Sequence, residues 1–172
     1  SARIFQTPMD TYWEQFKTPF LCFAGFSGVG KTTLIERIIK QFKADKIRVG
    51  YYKHDAHRFD IDKQGKDTWR CSQAGAGIVA INDQFHFALV AEDSFRKRTI
   101  THALELCDCI LIEGYKQSPF NKIVFLDSVG APPIPLDSPG IKAVVHQGAV
   151  GEVSGVPLFH RDEVDKIYAF VK

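Results

Sequence analysis

Residues Gly25-Phe26-Ser27-Gly28-Val29-Gly30-Lys31-Thr32 match the phosphate-loop pattern G-x-x-x-x-G-K-[ST], and their setting is the one the pattern requires. Phe20-Leu21-Cys22-Phe23-Ala24, just before the loop, is a short apolar run suited to a buried parallel strand. After it, Leu34, Ile35, Ile38, Ile39 and Phe42 recur at spacings of three and four, which predicts a helix with one apolar face against a sheet. Strand, glycine-rich loop and helix together make an anion site. Gly25, Gly28 and Gly30 let several backbone N–H groups turn inward. Lys31 supplies a charge for terminal phosphates, Thr32 a hydroxyl for Mg²⁺, and the helix N-terminus its partial positive charge. The motif predicts triphosphate binding and leaves the reaction open.

Further along, Ile47–Tyr52 reads as a second strand that ends at Lys53-His54-Asp55. Residues 56–66 are polar and aperiodic, and Asp67–Gly75 look like a short helix. Ile78–Ile81 and Phe85–Val90 flank Asn82-Asp83-Gln84 as an antiparallel hairpin. A helix capped by Asp93 or Ser94 is expected to reach about Leu106, before a buried strand Cys109–Ile112 that ends in Glu113-Gly114. Asn121–Asp127 and Ile141–Val145 predict two more strands, separated by a Pro/Gly-rich loop at 129–140 that is expected to be exposed. Val156–Phe159 precedes a last helix with Val164, Ile167, Tyr168 and Val171 on one face. This alternation predicts an α/β P-loop NTPase fold: a doubly wound, mostly parallel sheet with helices on both faces and a β-hairpin insertion. Residues 1–18 read as an N-terminal extension, with Tyr12, Trp13 and Phe16 as an apolar stripe and residues 1–8 as a remnant of expression or processing. Residues 19–172 read as one nucleotide-binding domain.

Composition narrows the function. A net charge of +2, with basic residues scattered among acids, argues against nucleic acid as a partner. No apolar stretch approaches the ~18 residues of a membrane span and no signal peptide is evident, so a soluble cytoplasmic protein is expected. The four cysteines are too few for a disulfide framework.

Ligands of such a fold lie at the carboxyl ends of the strands. There Glu113 resembles a Walker B carboxylate, with Glu where Asp is usual, and is the candidate catalytic and Mg²⁺ residue. Lys53, His54, Asp55, Asp62, Lys66 and Asp67 mix both signs of charge, as phosphorylated ligands and Mg²⁺ require, although a solvated loop would look the same. Asp62 joins Thr32 and Glu113 as a candidate metal ligand. His54-x-x-His57 with Cys107-x-Cys109 would suit a transition metal, but cysteines at the mouth of a buried strand also behave as small hydrophobes. Arg96-Lys97-Arg98 fits a phosphate-grasping lid or a solvated helix face. Asp108, at the other end of the Glu113 strand, reads as structural. Neither an arginine finger nor a water-positioning glutamine is identifiable, so any hydrolysis is expected to be slow.

These residues resemble the molybdopterin-guanine dinucleotide biosynthesis adaptor (MobB) family over most of the chain after about residue 19. The resemblance rests on the P-loop, on Lys53-His54 with the His57-Arg58-Phe59-Asp60-Ile61-Asp62-Lys63-x-Gly65-Lys66-Asp67 stretch, on Ala74-Gly75-Ala76, and on Ile112-Glu113-Gly114-Tyr115-Lys116. It implies a P-loop GTPase-like fold, GTP and Mg²⁺ as ligands with at most weak hydrolysis, and a homodimer. It also implies a partner, the guanylyltransferase that attaches GMP to molybdopterin, with molybdopterin itself in the complex. On this resemblance the ligand-binding set is the P-loop through Thr33, the charged residues above, and Gly114, Tyr115 and Lys116. Guanine specificity rests on the resemblance alone, because the Asn-Lys-x-Asp signature is missing: Ile123 and Val124 follow Asn121-Lys122. A small-molecule kinase and a metal-delivery GTPase are the other function classes open to such a chain.

Overall fold

The computed structural model describes residues 4–6, 17–54, 62–148 and 150–172. Its centre is a six-stranded parallel sheet. In chain order the elements are β1 (Phe20–Ala24), α1 (Lys31–Ala44), β2 (Val49–Lys53), α2 (Asp67–Gln73), β3 (Ile78–Asn82) and β4 (Phe87–Ala91), then α3 (Asp93–Leu104), β5 (Cys109–Glu113), β6 (Lys122–Phe125), β7 (Ile141–His146), β8 (Leu158–His160) and α4 (Val164–Val171). Strand order is β2-β5-β1-β6-β7-β8, and β3-β4 form a separate antiparallel hairpin. β1 lies between β5 and β6, so the loop that follows it opens at the middle of the sheet's carboxyl edge.

Every residue of β1 and β5 is buried, as expected for strands covered on both faces. Alternation sends Leu21, Phe23 and Leu111 into a core with Leu34, Ile35, Ile38 and Phe42 of α1 and Ile167 and Val171 of α4. Phe20, Cys22, Ile110 and Ile112 face the other way and pack with Ile100 and Leu104 of α3. Helices therefore cover both faces. Phe42 and Tyr168 meet edge to face at 5.0 Å where α1 and α4 touch.

Several expectations need correction. The 129–140 loop is not simply exposed: Ile134 is buried and, with Leu136 packed alongside, joins Val124, Leu126, Ile141 and Val144 in a third apolar cluster. α3 has Glu92 at its N-cap position, without a side-chain capping bond, in place of Asp93 or Ser94. β8 is a strand of its own, paired through Leu158 with Val144, where only a lead-in to the last helix was expected. Residues 4–6, read from sequence as outside the domain, pack onto it. Ile4 sits in the main core, and Gln6 exchanges backbone hydrogen bonds of 2.7 and 3.2 Å with Phe20. Tyr12, Trp13 and Phe16 lie outside the described residues.

Candidate functional site

The chain's turn from β1 into α1 is fixed by backbone conformation. Gly30 occupies the N-cap of α1 at φ 92°, a left-handed conformation that side chains disfavour, and this turns the first N–H groups of the helix toward the loop's concave side. Lys31, 10% exposed, folds back over the loop and donates to the carbonyls of Gly25 (3.2 Å) and Phe26 (2.6 Å). Burial holds its ammonium below the usual lysine range; Glu113 opposes that shift, while Lys53 and Lys116 add to it. A group in this state gains from an arriving anion.

Glu113 stands opposite, at the end of β5. Its Oε2 accepts from the Thr32 hydroxyl at 2.8 Å and from the Tyr51 hydroxyl at 2.9 Å, and its Oε1 lies 4.0 Å from the Lys31 ammonium. Burial and this carboxylate push the Tyr51 phenol well above its ordinary pKa, so it stays a donor. Thr32 Oγ1 and Glu113 Oε2 suit a small hard cation. Adjacent corners of a Mg²⁺ octahedron with metal–oxygen distances of about 2.0–2.1 Å lie about 2.9 Å apart, close to the observed spacing.

Beyond Glu113 the chain turns sharply. Gly114 has φ 131°, and a Cβ there would lie 2.6 Å from the His54 carbonyl, so β5 can pass β2 this closely only with glycine. Tyr115 follows at φ 54°, an uncommon conformation for a side-chain-bearing residue. Its ring stacks on His54 at 4.1 Å and meets Phe120 edge to face at 5.5 Å.

A cavity of about 770 Å³ collects these groups. Of the residues expected from sequence, Gly25, Ser27, Gly28, Gly30, Lys31, Thr32, Thr33, Lys53, His54, Glu113, Gly114, Tyr115 and Lys116 line it. Phe26 and Val29 instead line a smaller depression of about 330 Å³ with Asp127, Ser128 and Gln147, which shares Ser27 and Gly28 with the large cavity. Asp62, Lys66 and Asp67 are not among the residues lining the large cavity. Lys66 and Asp67 open α2, and Asp62 accepts from the Thr68 hydroxyl at 2.8 Å, the work of a helix start. Asp55 and His57 lie outside the described residues.

Sequence reasoning missed Tyr51, Gln117 and Ser118. Gln117 and Ser118 line the cavity. Cys107 and Cys109 sit at the amino end of β5, away from His54, and burial raises both thiols, Cys109 to about 11. Among the described residues, no group of three or more His, Cys, Asp or Glu side chains could hold a metal. Asp108 accepts from the Arg48 backbone N–H at 2.7 Å and meets its guanidinium at 3.4 Å, a brace between β2 and β5.

A parallel sheet in this order, with a phosphate loop leaving its central strand and a carboxylate ending the neighbouring one, defines an α/β P-loop NTPase fold. Comparison with known proteins narrows this. Residues 20–147 match the family model described as molybdopterin guanine dinucleotide synthesis protein B, and the chain belongs to that family. It is 35% identical over 147 residues to the molybdopterin-guanine dinucleotide biosynthesis adapter protein of Escherichia coli, covering 81% of this chain and 80% of that one. The adapter protein of Haemophilus influenzae is 35% identical over 122 residues, 68% of each chain. The crystal structure of Bacillus subtilis MobB superposes with a TM-score of 0.71 at 30% identity, over 90% of this chain and 98% of that one.

Proposed function

We propose that this chain is a GTP- and Mg²⁺-binding adapter of the cytoplasm that assists a guanylyltransferase in converting molybdopterin to molybdopterin guanine dinucleotide. The observation that carries the reading is the meeting of Lys31, Thr32 and Glu113 beside the phosphate loop in one cavity. In that cavity the loop amides and Lys31 bind the phosphates, and Thr32 and Glu113 hold the metal. Bound Mg²⁺ would neutralise phosphate charge. Lys53 and Lys116 extend the cationic wall, with His54 beside them, toward the rest of the ligand or toward the pterin phosphate. Asp55, Asp62, Lys66 and Asp67 belong to this proposal as residues of the adjoining segment. Among the described residues, no helix is long and apolar enough to cross a membrane.

Titration calorimetry tests the reading. GTP with Mg²⁺ is expected to bind and ATP to bind more weakly; no binding of GTP would remove the proposal. Glu113→Gln is expected to leave GTP binding within about threefold while slowing Mg²⁺-dependent hydrolysis at least tenfold, because the amide keeps size and loses the charge that holds the metal or orients water. Unchanged hydrolysis in that variant would move the metal site elsewhere. Wild-type turnover is itself expected far below the median enzyme rate of about 10 s⁻¹. Rapid turnover on a small phosphoryl acceptor would favour a kinase instead.

A homodimer through the β3-β4 hairpin completes the proposal. Phe87 is 79% exposed, Ile78 44% and Leu89 41%, all on one face of a two-stranded sheet separate from the main one, and Phe85 at its turn is 80% exposed. Apolar exposure on one face supports this reading. Replacing Phe85 and Phe87 by Ser is expected to give a monomer in analytical ultracentrifugation with the melting temperature of the separated subunit preserved; an unchanged dimer would place the interface elsewhere.

A further inference from the structure

Lys122 is a lysine with no exposed surface, inside the parallel sheet between β1 and β7. A buried ammonium is costly unless its donors are met; burial holds this one below the usual lysine range, and no carboxylate among the described residues offsets that. Its neighbour Cys22 is no counter-ion, because burial pushes that thiol up to about 12. The ammonium instead donates to two backbone carbonyls, that of Ser118 and, at 3.4 Å, that of Pro139. Ser118 lines the phosphate-loop cavity. Pro139 lies in the loop whose Ile134 joins the third apolar cluster.

The two segments so joined are already in close approach. The Lys122 N–H donates to the Gly140 carbonyl at 2.8 Å, and a Cβ on Gly140 would lie 2.3 Å from the Phe120 carbonyl and 2.5 Å from that of Pro119. From Ser118 the tie runs on into the site: its hydroxyl donates to the Tyr115 carbonyl at 2.7 Å, and Tyr115, in its left-handed conformation, stacks on His54. The wall from Tyr115 to Ser118 contains no helix or strand. Its own turn bond, Ser118 N–H to the Tyr115 carbonyl at 3.1 Å, and the packing of Tyr115 on Phe120 hold it, and Lys122 adds the tie to the Ser118 carbonyl.

We propose that Lys122 is a positioning residue for ligand binding: its buried ammonium clamps the 115–118 wall of the cavity to the 139–140 turn, holding that wall in its binding geometry. This rests on the nucleotide-binding reading above. Buried charges replaced by apolar groups of like volume are often neutral or stabilising for the fold, so stability alone is a weak reason for a lysine here, whereas the tie to the cavity wall supplies one.

The test compares Lys122→Met and Lys122→Arg with the wild type, full chain in each case, using GTP with Mg²⁺ as the probe. Lys122→Met keeps the length and loses the donors. Its affinity is expected to fall about tenfold, the size of one charge-assisted hydrogen bond, while the melting temperature moves by less than about 5 °C. Amide exchange should quicken at least about tenfold in 115–120 and 137–141 and stay unchanged in β1 and α1. Lys122→Arg keeps donors at similar volume and is expected to recover affinity to within about threefold. Wild-type affinity in Lys122→Met, or exchange that quickens throughout the chain, would overturn the proposal; so would failure of Lys122→Met to fold, which would make the lysine a requirement of the sheet. If the wild type does not bind GTP, the nucleotide reading fails, and the exchange pattern of the unliganded proteins still decides whether the clamp exists.

Discussion

Lys31→Ala is expected to weaken binding of GTP with Mg²⁺ by about ten- to a hundredfold. A charge-assisted contact to a phosphate contributes about 1.5–3 kcal/mol, and each 1.4 kcal/mol is a factor of ten. The fold should tolerate the change. Lys31's ammonium donates to the Gly25 and Phe26 carbonyls of its own loop, and its ion-pair partner Glu113, 4.0 Å away, keeps its bonds from Thr32 and Tyr51. Calorimetry against thermal unfolding separates the two effects. Affinity within twofold of wild type would mean that phosphates do not bind where the loop places them.

Gly114→Ala should be strongly damaging for a single added methyl group. At φ 131° the new residue adopts a conformation that side chains avoid, and its Cβ meets the His54 carbonyl at 2.6 Å with backbone on both sides, so neither can yield cheaply. Strain and overpacking together should cost about 2–4 kcal/mol, or roughly 4–16 °C in melting temperature for a chain of this size. Binding should fall as well, because relief of the clash moves His54 and the Tyr115 ring stacked on it. A variant that melts and binds like the wild type would show that the β2 and β5 ends are not in this contact.

What the sequence made legible was the part of the structure that repeats or that chemistry fixes locally. The apolar spacing of Leu34, Ile35, Ile38 and Phe42 and the unbroken runs of β1 and β5 have one reading each, and Asn82-Asp83 announces the turn of the hairpin. β8 was hidden because its three residues are too few to show a period. Ile134 was hidden because a lone apolar residue in a Pro/Gly-rich loop has no pattern to reveal its burial. In the site, residues next to a motif were found, while Tyr51 was not: its contact with Glu113 comes from strand pairing across 62 residues. Asp62, Lys66 and Asp67 are the ambiguous case. Charges that start a helix and charges that bind a phosphate look alike in an aperiodic segment, and the Asp62–Thr68 bond shows the first role without testing the second.

The central proposal, an adapter that acts through its phosphate-loop site, is tested most directly by guanylylation of molybdopterin in a reconstituted mixture of the guanylyltransferase, GTP, Mg²⁺ and this protein. The expected result is that wild-type protein raises the rate of molybdopterin guanine dinucleotide formation at limiting GTP and that Lys31→Ala, folded and at equal concentration, does not. Equal stimulation by wild type and Lys31→Ala, or none by either, would contradict it.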